Sequence, residues 1–316
     1  MIFINERCSH YGFQNTAHFH ENKIHIKLDH HNSSNKKNVC TTKLLKMSRT
    51  SLFFLFVFLF SSLASCEFTK KAWDTTSDAL DKANLFSYED DIELGKQVAG
   101  EIKNDPQTYP VLAEKDHMEI YNYLYSLRDV ILNSGKITYR NEFEWKLHII
   151  KDDETLNAFA TPGGYIYVYT GLIKFLDSED QLLGVLAHEM AHSDQRHSTR
   201  QLSKSLGVAL LLDAVLGKRD AVEQILGALV SLQFTRGHEE EADEFSVQYL
   251  CPTPYNAAGS AGFFKKMEDQ PQPPEFLSTH PNPANRVQDI QTLASTLSCG
   301  GTRTNKTKYD KMKKLL

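Results

Sequence analysis

The chain has 316 residues and a formal net charge of −5, from 35 lysines and arginines against 40 aspartates and glutamates. Its 41% hydrophobic and 24% charged residues exclude a fully disordered, collagen-like or polytopic membrane protein. The mild acidity argues against a nucleic-acid binder, since such domains carry a basic excess that contacts phosphates, and five cysteines are too few for a disulfide scaffold.

Residues 1–46 differ from the rest of the chain. They are polar, hold six of the thirteen histidines at irregular spacing, and show no sustained period of 2 or 3.6 residues. We predict a disordered leader, with metal capture by these histidines as the less favoured alternative. Because a complete export signal begins at Met47, we expect residues 1–46 to lie upstream of the natural start of the protein.

Residues 47–65 have the pattern of a secretory signal peptide. Basic residues precede nine apolar residues at 52–60, which are too few for a transmembrane helix of about 20 residues. The sequence Leu63-Ala64-Ser65-Cys66 then resembles the lipobox of bacterial lipoproteins, in which the cysteine is lipidated and begins the mature chain. The alternative is an ordinary signal peptide in which Cys66 has no role. Because glutamate rather than aspartate follows Cys66, the resemblance favours the outer membrane over the inner membrane, and residues 66–87 would be a tether.

Apolar periodicity predicts one domain over residues 88–300, followed by a Lys-rich tail at 301–316. Predicted helices lie at residues 88–104, 115–133, 182–196, 202–216, 221–234, 238–250 and 283–297. Predicted strands lie at residues 144–150 and 165–169, with a turn at 161–164. Ser178 and Gln181 have the spacing of a capping box that would open the helix at 182–196. The apolar helices between 202 and 234 are expected in the core, with a membrane-dipping surface as the alternative.

The sequence His188-Glu189-Met190-Ala191-His192 carries the chemistry of the predicted helix at 182–196. Residues i and i+4 share one helical face, so both imidazoles can reach one metal ion, and Glu189 can deprotonate a water molecule there. A catalytic zinc site needs a third protein ligand, which the acidic run from Glu239 to Asp243 can supply. The alternative for that run is a solvated helix face, which charge runs usually are.

Four separated motifs together resemble metallopeptidase family forty-eight. The motifs are Asn157-Ala158-Phe159-Ala160 with Pro162-Gly163-Gly164, residues 186–198 around the two histidines, Glu239-x-Glu241-Ala242-Asp243, and Thr279-His280-Pro281 with Arg286. The resemblance covers about residues 88–297. It implies an α+β fold, a mainly helical zincin-like (gluzincin) metallopeptidase domain with a small β-sheet, that binds one zinc ion per chain.

The resemblance also implies a role for individual residues. His188, His192 and Glu239 would bind the zinc ion, and Glu189 would be the general base and then the proton donor to the leaving amine. Asp243, one turn after Glu239, would hold a ligand histidine by its second ring nitrogen.

Two roles stay open for His280. It could stabilise the tetrahedral oxyanion with support from Arg286, or it could bind the zinc ion as a fourth ligand and keep the enzyme latent. His197 fits the family pattern, but it follows His192 by five residues and would lie off the ligand face, so we expect a structural role for it. Glu240 and Glu241 are expected to be solvated or structural.

Two further features each allow two interpretations. The strand at residues 165–169 would bind the substrate backbone if it is an edge strand, as in zincin-type proteases, or it is an internal strand of the sheet. Cys251 and Cys299 could form one disulfide in an oxidising compartment, or they could remain a free buried pair.

These inferences predict a zinc-dependent endopeptidase, and the family resemblance implies that it hydrolyses misfolded or stalled cell-envelope proteins. It would be anchored to a bacterial membrane through Cys66 and face the periplasm, with unfolded envelope proteins as substrates and no nucleic acid as a partner. The alternative is a chaperone-like assembly factor for outer-membrane proteins, with a structural or latent zinc site. A purely structural zinc protein is disfavoured, because three protein ligands and a placed glutamate leave a position open for water.

Overall fold

The computed structural model describes residues 15–20, 23–28, 84, 86–268, 275–281 and 285–316. The chain forms two compact units, Met1–Ser77 and Asp78–Leu316. The predicted signal peptide, Cys66 and nearly all of the predicted tether lie outside the described residues.

The first unit contains an antiparallel hairpin of β1 (Asn15–His20) and β2 (Lys23–Leu28), with His20 opposite Lys23. This hairpin differs from the prediction of a disordered leader. In β2 the apolar residues Ile24, Ile26 and Leu28 alternate with polar ones, a short period of 2 that suits a strand. The irregular composition of residues 1–46 as a whole conceals this local pattern.

The second unit is mainly helical with a small sheet, which confirms the predicted fold class. Its helices are α1 (Tyr88–Asn104), α2 (Met118–Leu132), α3 (Thr170–Phe175), α4 (Glu179–Asp194), α5 (His197–Ser205), α6 (Val208–Val215), α7 (Arg219–Val230), α8 (Arg236–Leu250), α9 (Gly259–Glu268), α10 (Glu275–Thr279), α11 (Arg286–Thr296) and α12 (Lys306–Met312). Its strands are β3 (Lys146–Ile150), β4 (Ala158–Thr161) and β5 (Tyr165–Tyr169). Within the part of the chain that the structure describes, no helix has the length and apolar character needed to cross a membrane.

The helix predicted at residues 202–216 is divided between α5 and α6. Gly207 lies between them with a φ of +85°, a backbone conformation that glycine adopts without steric cost and that cannot continue a helix. Leu211 and Ala214 of α6 are buried in the core, as the core interpretation requires, while Leu212 and Leu216 are exposed.

Strand β5 lies at the centre of the three-stranded sheet, parallel to β3 and antiparallel to β4. The edge-strand interpretation of residues 165–169 is therefore wrong, and the internal-strand interpretation is confirmed. All five side chains are buried. The three tyrosines belong to an apolar cluster that also contains residues of α1 and α7, while Ile166 and Val168 belong to the core around α4. A strand that is apolar on both faces is one that is covered on both faces.

Helix α4 runs through the core of the unit and packs against α8, α9 and β4. Every residue of it except Gln181 is buried. Gly184 allows α9 to approach closely, because a Cβ atom there would lie 2.3 Å from the backbone nitrogen of Ser260. The metal-ligand helix is thus held by packing on all sides, which limits the freedom of the side chains it carries.

The predicted capping box at the start of α4 is absent. The Ser178 hydroxyl donates to the Asp180 carboxylate at 2.5 Å instead of accepting from the helix backbone. The Gln181 side chain accepts from the backbone N–H of Asp177, one residue before the position that a capping box requires.

The C-terminal residues, predicted as a Lys-rich tail, contain α12, which packs on the core. Tyr309 is buried and its hydroxyl donates to the backbone oxygen of Ile173 at 2.6 Å. The disulfide between Cys251 and Cys299 links the segments that follow α8 and α11. Of the two interpretations of this cysteine pair, the structure has the disulfide.

Candidate metal centre

Helices α4 and α8 bring three predicted metal ligands together in the core. The Nε2 atoms of His188 and His192 lie 3.0 Å apart. One carboxylate oxygen of Glu239 lies 3.5 Å from the first of these atoms, and the other oxygen lies 3.3 Å from the second. All three side chains are completely buried. Residues i and i+4 of α4 face the first turn of α8, so a separation of 47 residues in sequence becomes contact in space.

His280 joins this cluster from the end of α10. Its Nδ1 atom lies 3.0 Å from Glu239 and 3.4 Å from Nε2 of His188. Its ring stacks on Phe276 at 4.2 Å, and its backbone N–H donates to the backbone oxygen of the same residue. Donor atoms from His188, His192, Glu239 and His280 therefore all lie within 4.8 Å of one another.

The chemistry of this donor set fits a zinc ion. Two imidazoles and one carboxylate are a common ligand set for catalytic zinc. Separations of 3.0 to 3.5 Å match the edges of a tetrahedron whose centre lies about 2 Å from each corner, the usual zinc–ligand distance. Burial lowers the pKa of His192 well below its usual value, which keeps its imidazole neutral and able to bind a metal.

The electrostatics of the cluster also favour a cation. Burial acts to lower the pKa of His188, but hydrogen bonds and charges from Asp243 and Glu239 outweigh it and raise this pKa to about 9. Burial acts to raise the pKa of Glu239, yet the charge of His280 and hydrogen bonds from the histidines hold it well below its usual range. The buried carboxylates thus stabilise positive charge at the point where the imidazoles meet.

Glu189 lies beside the cluster with both carboxylate oxygens buried and without hydrogen-bond partners. The Nε2 atom of His280 lies 3.5 Å from one of these oxygens. Burial raises the pKa of Glu189, although nearby positive charges act against this. A buried carboxylate without a donor is costly, so this geometry leaves Glu189 ready to accept a proton from a water molecule.

Asp243 and Arg286 surround the far side of His188. The Asp243 carboxylate lies 2.9 Å from Nδ1 of His188. Arg286 donates to both oxygens of Asp243, at 2.6 and 2.8 Å, and to Glu239 at 2.9 Å. Its guanidinium also lies 3.6 Å from the ring centre of Phe264. Arg286 therefore links the two carboxylates that contact His188.

His197 lies much closer to the cluster than the sequence analysis expects. Its Nδ1 atom lies 2.9 Å from Nδ1 of His192, and its Nε2 atom lies 3.0 Å from Glu241. The expectation assumed a helix that continues to residue 196, but α4 ends at Asp194 and Arg196 has a φ of +57°. This left-handed residue reverses the chain direction locally, so the next helix returns His197 to the ligand. The His and Glu of this pair were visible in the sequence, but their placement depends on that one turn.

Comparison with known proteins agrees with this geometry. Residues 126–294 match the model of Peptidase family M48. The chain is 32% identical over 166 residues to the beta-barrel assembly-enhancing protease of Yersinia pestis, covering 47% of this chain and 34% of that protein. It is 30% identical over 181 residues to the protein of the same name from Escherichia coli, covering 50% and 37%. With the mitochondrial metalloendopeptidase OMA1 of Schizosaccharomyces pombe it shares 29% identity over 173 residues, covering 52% and 50%.

The matched segment thus spans about a third of the bacterial relatives and half of the yeast relative. The family model covers more than half of this chain, and it includes the metal-ligand residues of α4 and α8 together with His280 and Arg286. The chain therefore belongs to peptidase family M48.

Proposed function

We propose that the protein is a zinc-dependent endopeptidase. The observation that carries the proposal is the buried cluster of His188, His192 and Glu239 with the unpartnered carboxylate of Glu189 beside it. A structural zinc site needs no free base beside its ligands, whereas a catalytic site has a base that adjoins the bound water. A carboxylate that is buried, lacks a donor and adjoins the ligands suits the second case.

In this proposal each residue has one task. Zinc would be held by His188, His192 and Glu239, and it would supply Lewis acidity that activates water and polarises the peptide carbonyl. Glu189 takes a proton from the attacking water and gives it to the leaving amine. Its raised pKa, caused by burial, helps it to hold that proton between the two steps.

Two roles of His280 can be distinguished by one variant. The position of its Nδ1 atom among the metal donors supports a fourth ligand that keeps the site latent. In that case His280→Ala should lower the affinity for zinc and raise the rate of cleavage. If His280 instead stabilises the oxyanion, the same variant should keep its zinc and lose about 10²–10³-fold in kcat.

We propose misfolded or stalled proteins of the bacterial envelope as substrates, and a periplasm-facing location with a lipid anchor at Cys66. The disulfide between Cys251 and Cys299 supports an oxidising compartment. The names of the bacterial relatives, which refer to β-barrel assembly, support the envelope as the place of action. Lipid labelling of the wild type that persists in Cys66→Ala would refute the anchor.

A second candidate function is a chaperone-like assembly factor for outer-membrane proteins. The words "assembly-enhancing" in the names of the bacterial relatives favour it. In that case assembly of an outer-membrane protein would be assisted equally well by the wild type and by a variant that cannot cleave.

One experiment tests the enzyme proposal. The purified protein should contain about one zinc ion per chain and cleave an unfolded protein. Glu189→Gln should keep its zinc and lose about 10²–10⁴-fold in cleavage rate, because the amide cannot take the proton. Glu240→Gln is the matched control, since it makes the same chemical change at an exposed residue next to a ligand and should cleave normally. Cleavage by Glu189→Gln at the wild-type rate, or a protein that binds no zinc, would refute the proposal.

A further inference from the structure

The two histidine ligands of the cluster are supported in different ways. His188 and His192 both turn Nε2 toward the cluster and Nδ1 away from it. For His188 the Nδ1 partner is a carboxylate, that of Asp243 at 2.9 Å. For His192 the Nδ1 partner is another imidazole, that of His197 at 2.9 Å.

The proton positions in this second arrangement follow from hydrogen-bond chemistry. Two imidazole nitrogens at this distance share a single proton, so one ring donates and the other accepts. The other nitrogen of His197 lies 3.0 Å from the Glu241 carboxylate, which can only accept. His197 must then donate from Nε2 and accept at Nδ1. His192 donates its Nδ1 proton, and its Nε2 lone pair is left for the metal.

The series of hydrogen bonds from His192 through His197 ends at the partly buried ion pair of Glu241 and Arg200. Glu241 also lies 3.2 Å from the Arg200 guanidinium, which is 7% exposed in its side chain. The His197 side chain is completely buried, and the Glu241 side chain is 24% exposed. Hydrogen bonds to an ionised carboxylate are stronger than those between neutral groups, and burial of His197 strengthens them further.

We propose that His197 is a positioning residue that connects Glu241 to the ligand His192. The proposal rests on the zinc site of the proposed function. His197 accepts a hydrogen bond from Nδ1 of His192, which fixes the tautomer and the ring orientation of His192. Through His197, the negative charge of Glu241 polarises this ligand, whose Nδ1 atom has no carboxylate partner. The zinc ligands then receive equivalent support, directly from Asp243 on one side and through an intervening histidine on the other.

Packing around the two rings offers an internal control. Phe234 stacks on His192 at 4.0 Å, and His238 stacks on His197 at 4.6 Å with an angle of 16° between the rings. The Nδ1 atom of His238 is buried and makes no hydrogen bond. His238 therefore contributes ring packing to His197 but takes no part in the proton chain from His192 to Glu241.

The test measures zinc affinity by competition with a chromophoric chelator on the full chain. His197→Phe keeps an aromatic ring in the stack and removes the acceptor, so it should weaken zinc binding by about 10–100-fold. His197→Gln carries both an acceptor and a donor and should restore much of that affinity. Glu241→Gln keeps the shape and removes the charge, so it should weaken binding less than His197→Phe. His238→Phe should bind zinc as the wild type does.

The outcomes separate this inference from the proposed function. If the wild type binds zinc and His197→Phe binds it equally well, the role of His197 is refuted while the zinc site stands. An equal loss in His238→Phe, or a Gln variant that is no better than the Phe variant, would show that packing alone matters and would also refute it. A wild type that binds no zinc refutes both. Urea unfolding of the metal-free variants detects a folding defect. If the His197 variants are misfolded, Glu241→Gln, at a partly exposed position, decides the question. A zinc affinity of Glu241→Gln equal to that of the wild type would then overturn the inference.

Discussion

Replacing Arg286 with methionine would leave two buried carboxylates without their shared cation. The Arg286 side chain is 1% exposed and donates three hydrogen bonds, at 2.6 and 2.8 Å to Asp243 and at 2.9 Å to Glu239. Removing one partner of a buried ion pair typically costs about 3–5 kcal/mol, because the remaining charge is neither paired nor solvated. Methionine fills a similar volume over the Phe264 ring, so the loss should come from charge rather than from a cavity.

Urea unfolding of the metal-free full chain measures this difference. We expect Arg286→Met to lower the free energy of unfolding by about 3–5 kcal/mol. Arg219→Met is the matched control, because Arg219 forms an exposed pair with Glu223 on α7 and should cost no more than about 1 kcal/mol. With saturating zinc the loss at Arg286 should shrink, since the proposed metal ion adds positive charge beside Glu239.

The double variant Arg286→Met with Asp243→Asn sharpens the prediction. If the cost comes from the Asp243 charge that Arg286 no longer balances, neutralising that carboxylate should recover part of the stability, and the two single losses should not add. A loss in Arg286→Met no larger than that of the surface control would refute the reasoning. So would strict additivity in the double variant.

Three further predictions concern groups away from the metal cluster. Burial acts to raise the pKa of Glu179, but the hydrogen bonds that its carboxylate accepts outweigh burial and lower this pKa. The carboxylate therefore stabilises the fold above its unfolded pKa of about 4.3. This contribution is lost as the pH falls through the folded pKa. Glu179→Gln should accordingly cost about 1–3 kcal/mol at pH 7, with a deficit in urea unfolding that shrinks toward acid pH; a constant deficit would contradict the assignment. Replacing Cys251 and Cys299 together by alanine should lower the free energy of unfolding by about 2–4 kcal/mol, since the disulfide spans a sequence separation of 48. Unchanged urea unfolding of this double variant would contradict a stabilising role of the disulfide. Gly184→Ala places a Cβ atom 2.3 Å from a backbone nitrogen and should cost about 1–3 kcal/mol. Gly227→Ala, at an exposed position of α7 with open space around it, should instead gain about 0.4–1 kcal/mol. Thermal unfolding in the reverse order would refute the packing argument.

Local patterns were sufficient for several parts of the fold. Apolar periodicity predicts α1 at Tyr88–Asn104, and β propensity predicts β5 at Tyr165–Tyr169, with the bounds that the structure has. The spacing of His188 and His192 predicts a shared helical face, because i and i+4 neighbours meet on any α-helix regardless of its surroundings. Short or irregular elements such as α3, α9 and α10 were not predicted, since few residues carry too little periodicity to detect.

Contacts between distant segments could not be predicted in the same way. The capping box expected at Ser178 is absent, since its hydroxyl donates to Asp180 and accepts no hydrogen bond from the helix backbone. A capping box that was not predicted forms between Ser87 and Asp90. The position of β5 at the centre of the sheet depends on its pairing with β3 and β4, which lie on either side of it. Propensity describes how well a residue suits a strand and not which neighbours that strand will have.

The sequence by itself determined the kinds of ligand in this protein, two histidines on one helical face and an acidic run downstream, and with them the expectation of a metal site. Only the tertiary structure decided which groups surround those ligands. It placed His280 among the donor atoms, joined Arg286 to both carboxylates, and turned His197 back onto His192 through one left-handed residue. The physical reason is that ligand spacing within a helix follows from local geometry, whereas the hydrogen-bond partners of the ligands come from segments that meet only when the core packs.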